Sequence, residues 1–139
     1  MEDEKYCIVI CGGGGKTILH LQNIDIYLDI DYYIWQDPSR IPSLEKMIKN
    51  NDKKGISDFY KNIMLTDEKL RNDYRILLVH NPINAEWLDR KILGIYRPTK
   101  ELHEENIKDR DSFMKELARN DWEELSKYNP TEFDKYPFL

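Results

Sequence analysis

The sequence is poor in alanine, in cysteine and in long apolar runs, and it carries no net positive charge. Only two alanines occur in 139 residues, Ala85 and Ala118, a bias without consequence for chemistry. The longest apolar stretches, Cys7 to Cys11 and Ile76 to Val79, fall far short of the ~20 residues needed to cross a bilayer. The first residues, Met-Glu-Asp-Glu-Lys, are the opposite of a basic segment followed by an apolar one, so no secretory signal is read and a cytoplasmic protein is expected. The two cysteines lie on one predicted strand, about 13 Å apart at Cα, beyond disulfide reach. They read as small buried hydrophobes rather than as half of a metal site. A net charge of -5 argues against a general nucleic-acid binder, leaving room only for a local basic groove.

What is present fits one globular domain spanning 1–139. Apolar residues are 40% and charged residues 34%, within the globular range. Tyr6 to Cys11 is a continuous apolar run broken by glycines, as expected of a strand buried on both faces. Helical turns over Thr17 to Gln22 follow, then an alternating strand from Ile24 to Asp29 that continues toward Asp31. Helices are predicted from Leu44, capped by Ser43, and from Ser57, with a polar turn from Lys49 to Gly55 between them. A third strand, Arg75 to His80, stops at Asn81-Pro82, and residues 83 to 89 make a short helix. A fourth strand runs from Lys91 to Tyr96, and Thr99 to Lys127 is helical. Alternating strands and helices predict an α/β domain of three layers with a mostly parallel sheet of four or five strands.

Four of the six glycines stand together, Gly12-Gly13-Gly14-Gly15, followed by Lys16 and Thr17. Glycines leave backbone N–H groups free to converge on phosphate oxygens, and a following helix adds its partial positive end. Lys16 then supplies a point charge for the β- and γ-phosphates of ATP, and Thr17 a hydroxyl ligand for Mg²⁺. The phosphate-loop pattern G-x-x-x-x-G-K-[ST] is matched at Gly15, Lys16 and Thr17, but its first glycine position is Ile10. Either the loop is shortened or Gly12 takes over the tight turn. Downstream, Asp29 and Asp31 alternate onto one side of the second strand, at the carboxyl end where ligands of open parallel sheets gather. Asp29 is then a metal ligand with Thr17, and Asp31 an acceptor of the proton from an attacking hydroxyl.

The loop, short helix and Asp-x-Asp ending resemble the small P-loop kinases, including nucleotide-kinase-like, shikimate-kinase-like and gluconate-kinase-like enzymes. The resemblance covers roughly residues 6 to 120. It implies a P-loop NTPase-like fold, ATP and Mg²⁺ as cofactors, and an acceptor facing Asp29 and Asp31. It also implies a lid over about 99–120, whose arginines Arg110 and Arg119 neutralise the transferred phosphoryl group. The implied activity is phosphoryl transfer from ATP to a small acceptor, a nucleoside or nucleotide. A non-catalytic nucleotide-binding module and a kinase of a polynucleotide hydroxyl are the alternatives. Three departures stand out: the missing first glycine, a third strand ending in Val79-His80-Asn81 without a carboxylate, and no evident fifth strand beyond the lid, where only Tyr136 to Leu139 would substitute.

His80, at a strand end, is a candidate substrate contact, while His20 and His103 are expected in partly exposed helical places. Tyr32, Tyr33 and Trp35 are candidates for stacking on an acceptor ring. Arg40 and Arg71 are candidates for an acceptor phosphate. Arg110 and Arg119 lie on roughly opposite faces of a straight helix, so both reach one ligand only if that helix breaks between them.

Overall fold

The computed structural model describes residues 4–135. Its strands are β1 (Tyr6–Ile10), β2 (Tyr27–Asp29), β3 (Ile76–Val79), β4 (Lys91–Pro98) and β5 (Thr131–Phe133). The helices are α1 (Lys16–Gln22), α2 (Ile30–Gln36), α3 (Ile41–Lys49), α4 (Lys53–Thr66), α5 (Glu68–Arg71), α6 (Pro82–Trp87), α7 (Lys100–Ile107) and α8 (Ser112–Glu124). A 3-10 turn over Leu125–Tyr128 leads into β5.

The strands form one five-stranded sheet in the order β2-β3-β1-β4-β5, and every pairing is parallel. The apolar strands serve both faces at once. Cys7, Val9, Leu77 and Val79 pack into the larger core with Leu28, Ile34, Leu44 and Met64. Their neighbours Ile8, Ile10 and Leu78 turn to the other face, onto Leu19 of α1. Each such side chain contributes about 1.5–3 kcal/mol on burial, which is what makes a strand without polar alternation stable only between two helical layers. The domain is therefore three-layered α/β, as the alternation of elements predicts.

Several local expectations change. The second strand is shorter, because Asp29 turns the chain: its carboxylate accepts from the Asp31 backbone N–H and caps α2. Asp31 is thus in the first turn of a helix, not on a strand. Ser43 lies inside α3, which begins behind Arg40 with Pro42 in its first turn and no side-chain cap. The polar turn is brief, since Asp52 caps α4 through the Gly55 N–H, putting Gly55 within the helix and its start ahead of Ser57. A fifth strand does exist, Thr131–Phe133 on the edge beside β4. Tyr136 to Leu139 lie outside the described residues. Among the described residues no helix is long and apolar enough to cross a membrane.

The connection from β1 to β2 passes over β3, whereas that from β3 to β4 passes over β1. The chain therefore leaves the carboxyl ends of two adjacent strands in opposite directions. A crevice at such a switch point is where open α/β sheets bind ligands. The glycine run follows β1 and His80-Asn81 follows β3, so both border it.

Candidate functional site

The glycine run closes at once into a tight turn, in which the Gly14 N–H donates to the Cys11 carbonyl at 2.9 Å. Gly13 has φ 80°, the left-handed value a type II turn demands at its third position, and Gly15 has φ 96°. Gly12 and Gly13 are the central residues of this turn, so Gly12 does enter the tight turn that the missing first glycine left open, with Gly13 at the left-handed position and Gly14 closing the hydrogen bond. The lack of a side chain at Gly13 and Gly14 is enforced by packing: a Cβ on Gly13 would meet Ile107 Cγ2 at 2.5 Å, and one on Gly14 would meet Ile10 Cγ2 at 2.4 Å.

Helix α7 holds the outer side of this loop. The buried His103 ring donates through Nε2 to the Gly12 carbonyl at 2.7 Å, and Asn106 Nδ2 donates to the Gly13 carbonyl at 2.9 Å. Because C=O and N–H of one peptide plane point in opposite directions, fixing these two carbonyls also fixes the following N–H groups. Burial lowers the His103 pKa, against the bond to the Gly12 carbonyl, which works to raise it. Neither His103 nor His20 is partly exposed, contrary to expectation; His20 is buried with Nδ1 3.0 Å from the Tyr27 carbonyl.

Lys16 is also not solvent-facing. It is 5% exposed, donates to the Ile10 carbonyl at 3.2 Å and lies 3.6 Å from Asp31 Oδ2. Thr17 donates its hydroxyl to Asp29 Oδ2 at 3.0 Å. The two carboxylates are in unlike surroundings. Asp29 is 1% exposed, and burial together with the neighbouring Asp31 raises its pKa against the pull of Lys16 and Thr17. Asp31 is 38% exposed at its side chain. Desolvation works to raise its pKa, yet Lys16, His80 and the Tyr60 hydroxyl outweigh it and hold the carboxyl below its ordinary value.

From the loop a cleft of about 460 Å³ runs between the helices. Gly12, Thr17 and Asp31 border it at one end; Trp35, Leu44, Ile48 and Tyr60 form its apolar wall. Asp31 and Trp35 stand one turn apart on α2, which gives them a common face. Tyr60 joins the two: its hydroxyl donates to Asp31 Oδ1 at 2.8 Å and accepts from Trp35 Nε1 at 3.2 Å. His80 lies beside the Tyr60 ring at 5.8 Å between centroids.

The expected arginines separate. The helical region breaks between α7 and α8, and Arg110 lies in the break and borders the cleft. Arg119 is exposed and grips Glu104 through two hydrogen bonds of 2.9 and 2.8 Å, tying α8 to α7 away from the cleft. Tyr32 rests against His20, and Tyr33 donates to Asp67 beneath Arg40, so Trp35 alone of that trio borders the cleft. Arg40 pairs with Asp67, and Arg71 donates to the Met64 and Trp87 carbonyls; neither faces the cleft. Burial pushes both cysteine thiols up to about 12, which leaves them inert.

Asp121, unremarked in the sequence, stands over the loop with Oδ2 3.3 Å from the Cβ position of Gly12. Burial raises its pKa, and His80 and Lys16 partly counter this. Its one sequence signal is spacing, since Met114, Ala118 and Asp121 recur on the cleft face of α8. Tyr60 had no signal, being 29 positions from the carboxylate it touches.

Among the described residues no cluster of three or more His, Cys, Asp or Glu is arranged to hold a metal. Mg²⁺ needs none: it keeps several waters and takes one or two protein ligands beside substrate phosphates. The exposed Thr17 hydroxyl fits such a role directly, whereas Asp29, with both oxygens engaged, fits as the group that orients Thr17. No protein-family model, curated protein or solved structure matches the chain.

Proposed function

We propose that this chain is an ATP-dependent phosphotransferase that passes the γ-phosphoryl group to a hydroxyl or phosphate of a small acceptor, a nucleoside or nucleotide. One observation carries the reading: Lys16 and Thr17, the two chemical residues of the glycine loop, contact Asp31 and Asp29 at the mouth of one cleft. Phosphoryl transfer asks a protein mainly for positioning and charge neutralisation, and these are the parts on hand.

In this reading the loop N–H groups bind the triphosphate, in an orientation that His103 and Asn106 maintain from behind. Lys16 leaves the Ile10 carbonyl to reach the phosphates, a short movement for a four-carbon stem. Thr17, aimed by Asp29, presents its hydroxyl to the metal. Mg²⁺, when bound, neutralises charge on the phosphate oxygens. Asp31 orients the acceptor hydroxyl, and Arg110 is the lid arginine, while Arg119 serves α7–α8 packing.

Calorimetric titration of ATP·Mg²⁺ into the parent and Lys16→Ala tests the loop. The substitution is expected to weaken binding by tenfold or more, since it removes the point charge facing the β- and γ-phosphates. Equal affinity for both proteins would defeat the reading. ATP binding without transfer to any nucleoside, nucleotide, sugar or oligonucleotide would instead make the chain a nucleotide-binding module.

A further inference from the structure

We propose that the apolar arm of the cleft takes an uncharged alcohol borne on a planar ring, a nucleoside and not its monophosphate. This rests on the phosphotransferase reading and narrows its acceptor. The first argument is charge. A monophosphate brings about -1.5 to -2 charges at neutral pH and needs a guanidinium fork or several ammonium groups to replace its hydration. Of the described residues bordering the cleft, only Lys53 and Arg110 are cationic. Lys53 is occupied by Glu116 at 2.6 Å. Arg110 follows closely on α7, the helix that His103 bonds to Gly12, and is the lid arginine of the phosphotransferase reading. Arg40 and Arg71 are committed to Asp67 and to backbone carbonyls.

The second argument is the group at the junction. Asp31 presents a half-exposed carboxylate between Lys16 and the apolar arm. A carboxylate repels an attacking phosphate, but it accepts a hydrogen bond from an attacking hydroxyl. The transfer then balances simply. The acceptor oxygen bonds to the γ-phosphorus as the bridging P–O bond to the β-phosphate breaks, and ADP leaves with that electron pair. The hydroxyl proton passes to the Asp31 carboxylate and on to solvent.

The third argument is shape. Trp35 and Tyr60 are locked to each other and to Asp31 by hydrogen bonds, and Leu44, Ile48 and Ile56 complete an apolar wall beside them. Rigid aromatics on an apolar wall suit a flat ring, and stacking on them tolerates several bases.

The test uses the full chain and titrates thymidine, cytidine, adenosine and guanosine, each against its 5′-monophosphate, by calorimetry and tryptophan fluorescence. At least one nucleoside is expected to bind about tenfold or more tightly than its monophosphate, and Trp35→Leu to weaken it by about tenfold while ATP affinity holds. Should Trp35→Leu fail to fold, Glu116→Gln on the exposed surface decides: by freeing Lys53 it is expected to raise monophosphate affinity several-fold and leave nucleoside affinity unchanged. Monophosphates binding more tightly than nucleosides, no nucleoside binding, or monophosphate affinity unmoved by Glu116→Gln overturns the inference. ATP titrated in parallel separates the two claims. ATP binding without nucleoside binding sinks this inference alone, and nucleoside binding without ATP binding sinks the phosphotransferase reading alone.

Discussion

Lys16 and Asp31 are each other's counter-ion, with Nζ 3.6 Å from Oδ2 across the mouth of the cleft. The ammonium is buried and also spends a hydrogen bond on the Ile10 carbonyl, while the carboxylate keeps a solvated side. In the proposed reading, the phosphate-binding loop and the acceptor-side carboxylate are thus coupled before either ligand binds.

Replacing Asp31 by Asn should separate chemistry from binding. ATP affinity is expected to stay within a few-fold, whereas transfer falls by about 10²-fold, the usual scale for loss of a general base. The variant also leaves Lys16 buried without its partner. Because Asp31 is more than one third exposed, the pair contributes less than an enclosed one, and a loss of about 1–3 kcal/mol is expected in denaturant unfolding. Full transfer activity in the variant would remove Asp31 from the mechanism.

Gly13→Ala should cost about 1–3 kcal/mol, for a non-glycine residue held at φ 80° with Ile107 in its way. Thermal unfolding gives the stability change, and calorimetry is expected to show ATP affinity falling with it, because relief requires the loop or α7 to move. A stable variant with parental ATP affinity would mean that the turn tolerates a side chain and that its shape is not what binds.

His103 gives a pH signature. Its folded pKa is lowered from the model-peptide value of 6.5, chiefly by burial, so the unfolded chain takes up the proton more readily. Its contribution to stability is therefore present above about pH 6.5 and is lost as pH falls below that value. Glu104, Asp121 and Arg110 also act on the ring, so the informative quantity is the difference from His103→Gln. The melting temperature of the parent is expected to drop more between pH 7 and 5 than that of His103→Gln. Parallel curves would show that the imidazole does not titrate with unfolding.

Ligand binding should order the break around Arg110 more than α7 itself. Helix α7 is already tied to the loop by His103 and Asn106, while residues 108–111 are exposed and Arg110 among them borders the cleft. Hydrogen exchange with a non-hydrolysable ATP analogue and Mg²⁺ is expected to protect residues 108–120 and to change 100–107 little. Equal protection of the whole region with and without ligand would make it a fixed layer and not a lid.

Whatever depends on neighbours in the chain was legible in the sequence. The apolar run Tyr6 to Cys11 has no polar alternation, and only a strand covered on both faces accommodates that, so a parallel sheet between helical layers followed. The glycine run and Lys16-Thr17 are adjacent in sequence and therefore adjacent in space, and the Asp-x-Asp step kept Asp29 and Asp31 at one strand end even though a cap, not a strand, holds the second. Tertiary structure decided the rest, because it concerns which distant faces meet. Lys16 is hydrophilic by composition, yet α2 brings Asp31 to it and makes burial affordable. Tyr60 reaches Asp31 across 29 positions only because α4 comes back against α2 after the intervening α3. Arg110 and Arg119 are alike in sequence, and the helix break together with Glu104 sends one to the cleft and the other to the surface. Periodicity assigns a side chain to a face of its own element, but the partner of that face is set by the packing of the whole chain.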